Sequence, residues 1–87
     1  MDLLNALANL DHFDSEATLY AAEPWSFSSP IMVVSNPPDA AEPIVQDGAA
    51  YAYFLEVFIA REFIEDFGNP DLQASCDRLI SYAINDA

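Results

Sequence analysis

Apolar and polar positions change rhythm several times along the chain, and each change predicts an element. Leu3, Leu4, Leu7 and Leu10 recur at helical spacing, which predicts a short amphipathic helix over residues 2–10. Asp2 sits near the positive end of that helix's dipole. After the acidic stretch "DHFDSE", the segment "ATLYAA" (17–22) alternates weakly, and "IMVV" (31–34) is a short β-rich run bounded by Pro30 and "SNPP". Together they predict a two-stranded antiparallel hairpin. Its connection, "EPWSFSSP", is too long for a two-residue turn and carries Trp25 and Phe27 between Pro24 and Pro30. Such a loop either packs on the core or is offered to a partner. Packing is favoured, since burying a large aromatic contributes about 1.5–3 kcal/mol.

The segment "NPPDAAEPIVQDG" reads as a surface loop containing one helical turn at 43–46. A long helix is then predicted from Gly48 to Phe67, with Asp47 as N-cap and Gly68 ending it in the left-handed conformation. Asn69 and Pro70 follow as cap and first-turn residues, with Asp71 in the first turn of the next helix. Leu72, Cys76, Leu79, Ile80 and Ala83 form the apolar stripe of that last helix. The expected fold is a single α+β domain over residues 1–87. It consists of a short N-terminal helix, a two-stranded hairpin, a long central apolar helix and a C-terminal helix completing an αα-hairpin.

On the predicted central helix, "AYAYFLEVFIAREF" carries one carboxylate, Glu56, on its core-facing side. A buried charge costs several kcal/mol unless paired or neutralised, so a structural partner is expected among Arg78, His12, Tyr53 and the hairpin backbone. The functional alternative makes Glu56 the polar anchor of a small pocket, with Trp25 and Phe27 as walls. The outer sector of the same helix holds Tyr51, Phe54, Leu55 and Phe58, an apolar surface that suggests a homodimer.

Composition narrows the partners. Fifteen acidic residues against two arginines and no lysine give a formal charge of −13. Aromatics at 13% argue for a folded domain, because disordered acidic chains are poor in them. Arg61 and Arg78 cannot build a basic stripe, so direct binding to nucleic acid or an anionic membrane is not expected. One cysteine, Cys76, fits a reducing cytoplasm, and no signal sequence or membrane span is predicted. No cofactor motif is found: there are two glycines, hence no glycine-rich phosphate loop. Asp11, His12, Asp14 and Glu16 lack the pattern of a calcium loop. Glu62 and Asp66 share a helix face that could hold a weak cation but is more simply a solvated acidic face.

"EPWSFSSPIMVV", "YFLEVFIAREFIEDF" and "DRLISYAINDA" resemble a family of small, acidic, uncharacterised bacterial proteins with a tryptophan-bearing loop and a "YFLEV" helix. These are often cargo of mobile elements, including integron gene cassettes. The resemblance covers roughly residues 17–87 and implies a bacterial source and an accessory role. It carries over no catalytic residues.

Two functional expectations follow. The first is a non-enzymatic interaction module, inhibitor-like or immunity-like, that meets a basic partner through an acidic ridge of Glu62, Glu65, Asp66 and Asp77, with DNA mimicry as a special case. The second is a small-ligand binder or minor enzyme using the pocket of Glu56, Trp25 and Phe27.

Overall fold

In the computed structural model, which describes residues 1–35, 42–68 and 70–86, helix α1 spans Leu3–Ala8. The first N–H groups of a helix lack intrahelical acceptors, and here other parts of the chain supply them. Asp2 is the N-cap and accepts from the Asn5 N–H through Oδ1 at 2.8 Å. The Leu3 and Leu4 N–H groups donate to the carbonyls of Ser29 and Phe27, both at 2.9 Å. The aromatic loop therefore caps α1 with its backbone. Trp25 packs edge-on against Phe54, centroids 4.9 Å apart, and its Nε1 donates to the Ala21 carbonyl at 3.2 Å.

A 3-10 turn at Leu10–His12 leads into β1 (Thr18–Ala22), and β2 (Ile31–Val34) pairs antiparallel with it, as the alternation predicts. The sheet does not stop there. β3 (Ile44–Gln46) and β4 (Ala49–Glu56) form a second hairpin, and β4 also pairs antiparallel with β1. The order across the four strands is β2-β1-β4-β3.

This overturns the two-stranded hairpin and the long central helix. Residues 49–56 are strand, and α2 spans only Val57–Phe67. The expected helical turn at 43–46 is likewise replaced by β3. Asp47 and Gly48 are not a helix start but the two central residues of a tight hairpin turn, with φ of 53° and 81°. That geometry has the right-handed twist that the flanking strands need.

Register explains why Phe54 and Leu55 are both buried although adjacent. Leu19 faces Leu55 and Tyr20 faces Tyr53, so Phe54 is the extra residue of a β-bulge. Both lie in the core, at 0% and 2% exposure, so they cannot contribute to the dimer surface expected of them. Tyr51 is half-buried on β4, and only Phe58 of that set is well exposed, at 42%.

The core forms between one sheet face and the helices. Leu19, Ala21, Ile31 and Leu55 meet Leu3 and Leu7 of α1, Val57 and Ala60 of α2, and Cys76, Leu79 and Ala83 of α3 (Leu72–Asp86). The opposite face carries Tyr20, with Tyr53 edge-on at 6.2 Å and Glu56 across from Thr18.

Gly68, at φ 65°, terminates α2 as expected, its N–H donating to the Ile64 carbonyl. Asp71 lies before α3 rather than in its first turn, and its Oδ1 accepts from the Gln73 N–H at 3.0 Å. The predicted Asn69 cap and the loop residues 36–41 lie outside the described residues.

Candidate interaction surface

Glu56 is the last residue of β4 and the N-cap of α2, not a core-facing helical acid. Its side chain makes no capping hydrogen bond. The first N–H groups of α2 are satisfied elsewhere: Val57 donates to the Ala17 carbonyl at 2.9 Å and Phe58 to Ser15 at 3.1 Å. The carboxylate instead lies at the positive end of the helix dipole, which favours it. Burial and, after it, the Glu56 carboxylate push the Tyr53 phenol above its ordinary 10.0, with Tyr20 and Tyr82 adding to the shift. Glu56 is thus an electrostatic neighbour of Tyr53.

Trp25 is wedged against Phe54, and Phe27 is 43% exposed on the loop. Four surface concavities of about 130–250 Å³ are lined by other residues, and none of the four includes Glu56, Trp25 or Phe27. They fall short of the roughly 300–1,000 Å³ usual for small-molecule sites.

Cys76 is fully buried, and burial, followed by the charges of Asp77 and Asp2, pushes its thiol up to about 11. That is a core side chain rather than a nucleophile. Asp11 pairs with Arg61 at 3.2 Å, and Asp14 accepts from the Glu16 N–H at 3.0 Å. Among the described residues, no group of three or more His, Cys, Asp or Glu could hold a metal ion.

The sequence-predicted acids fare differently. Successive α-helical residues are rotated by about 100°, which places Glu65, Phe58, Glu62 and Asp66 within about 100° of arc on α2. All four are exposed, opposite the buried side at Val57 and Ala60. Arg61 borders this arc, lining one concavity with Phe58, Glu62 and Glu65. Arg61 reaches to Asp11, and the Arg78 guanidinium lies over the Phe67 ring, 5.5 Å from its centroid. Asp77 is exposed on α3 but lies about 140° around that helix from Tyr82, the residue that meets Phe63 of α2. It therefore belongs to another flank, and the four-residue ridge reduces to three acids on α2.

Ile59, Phe63 and Tyr82 were not singled out as site residues by sequence reasoning. Phe63 and Tyr82 meet at 5.2 Å where α2 and α3 pack, and with Ile59, Glu62 and Asp66 they line a concavity of about 240 Å³. The helical periods of both segments contained the signal, but only their docking shows that the residues converge.

No family model, curated protein or solved structure matches the chain. Among the described residues, no helix is long and apolar enough to cross a membrane.

Proposed function

We propose that this chain is a non-enzymatic interaction module, inhibitor-like or immunity-like and acting in a bacterial cytoplasm, that engages a basic protein partner through the outer arc of α2. One observation carries the reading. Glu62, Glu65 and Asp66 follow the exposed Phe58 along one face of α2, and Arg61, at the edge of that face, reaches to Asp11. An exposed apolar side chain beside a mainly acidic helix face suits a surface that steers a partner of opposite charge and then excludes water.

DNA mimicry is the less favoured form of this reading. The three acids span four helical steps, about 6 Å of helix axis, whereas each DNA strand carries a phosphate for about every 3.4 Å of duplex axis. That length imitates roughly two phosphate steps and no more.

The test is capture from a bacterial lysate by the wild-type chain and by the triple variant Glu62→Lys, Glu65→Lys, Asp66→Lys. Wild type should retain a basic protein at low salt and release it as salt rises. The variant should lose it while unfolding at the same or a higher temperature, since acids in the last helical turn oppose the dipole. Undiminished capture by the variant overturns the reading.

A further inference from the structure

We propose that the cleft between α2 and α3, floored by Ile59, Phe63 and Tyr82 and rimmed by Glu62 and Asp66, receives a single arginine side chain of the basic partner. The inference rests on the interaction reading above and names the chemistry its site recognises. At about 240 Å³ the cleft is smaller than a cofactor site and suited to one long side chain. Two aromatic rings line it, Phe63 and Tyr82, with centroids 5.2 Å apart. A cation over such faces gains from the ring quadrupole, more so when partly desolvated.

The rim selects among cations. Glu62 and Asp66 are one helical turn apart, so their carboxylates flank the mouth on the same side of α2. A planar guanidinium offers donors to both while stacking on the floor, whereas an ammonium is a compact, strongly hydrated point charge. The chain already contains this mode of contact: its own Arg78, on α3 beside Tyr82, holds its guanidinium over the neighbouring Phe67 ring. The cleft is lined by two aromatic rings and two carboxylates with no arginine of this chain among its lining residues, while Arg78 lines the adjoining concavity that shares Phe63 and Tyr82.

The test uses the full ¹⁵N-labelled chain and a helix-forming peptide with leucines on one face and arginines on the other, followed by chemical-shift mapping at low salt. A second peptide replaces every arginine by lysine, and a third by glutamate. The arginine peptide should shift the amides of Phe63 and Tyr82 and bind several-fold more tightly than the lysine peptide. Glu62→Gln with Asp66→Asn, both at exposed positions, should weaken it on the order of tenfold, the loss of one or two charge-assisted contacts. Asp77→Asn on the far flank should leave it unchanged.

Equal binding of the arginine and lysine peptides, with shifts centred on Phe58 and Glu65, would overturn the cleft while leaving the basic-partner reading intact. Binding of neither at low salt would overturn both.

Discussion

Glu56 shows how one side chain can belong to two elements. It ends β4 across from Thr18 and begins α2, where its charge meets the helix dipole. Its field also reaches Tyr53, whose neutral phenol the fold favours through burial first and Glu56 second. A raised phenol pKa stabilises the folded state below the unfolded value of 10.0, and the contribution is lost as pH climbs through the folded value. Glu56→Gln should therefore lower the titration midpoint of Tyr53, followed through its ring carbon resonances, without bringing it down to 10.0. The same change should cost about 0.3–1 kcal/mol of dipole interaction near neutral pH. An unmoved Tyr53 midpoint would show that the two groups are not coupled.

At the scale of elements, the β3–β4 hairpin depends on Asp47 and Gly48 both holding positive φ. A Cβ added at Gly48 would meet nothing within 4 Å, so Gly48→Ala tests backbone conformation alone. It should destabilise the protein by about 1–2 kcal/mol in denaturant melts, the cost of a left-handed L-residue. A neutral result would mean the turn relaxes to another type.

That dipeptide is also the place where sequence reading fails. Asp-Gly between apolar runs is a strong hairpin signal, yet Asp47 reads equally as an N-cap when a long apolar run follows. The run itself is ambiguous, because continuous apolar residues satisfy both periods. The bulge at Phe54 then disrupts the alternation that would have identified a strand. Where the local signal is plain, the reading holds: the leucines of α1, the pairing of β1 with β2 within the larger sheet, the stop at Gly68 and the stripe of α3 are legible. The acids on α2 were legible too, because residues 62–66 remain helical within the shortened element. The position of Asp77 and the aromatic cleft were not, since both depend on how α3 is rotated against α2.

For the whole molecule, charge opposes compaction. The formal charge of −13 is confined to a body with a radius of gyration of 11.9 Å. At about 0.01 M salt the screening length is roughly 30 Å, so every acid repels every other; at 0.15 M it is about 8 Å, and only near neighbours interact. The melting temperature should therefore rise as sodium chloride is added across this range, measured by circular dichroism. A fall would show that attractive ion pairs outweigh the repulsion.

The contacts between the loop at 23–30 and α1 set what kind of variation the fold tolerates. The carbonyls of Phe27 and Ser29 satisfy the helix, and any residue supplies a carbonyl. The identities of Phe27 and Ser28, both exposed, can accordingly drift at little cost to the cap, while the number of residues between Trp25 and Pro30 cannot. An insertion or deletion there would move both acceptors away from α1 at once, so the segment is strict in length and permissive in spelling only at its exposed tip, since the buried Ser29 holds Ser26 and Pro24, and Trp25 packs on Phe54.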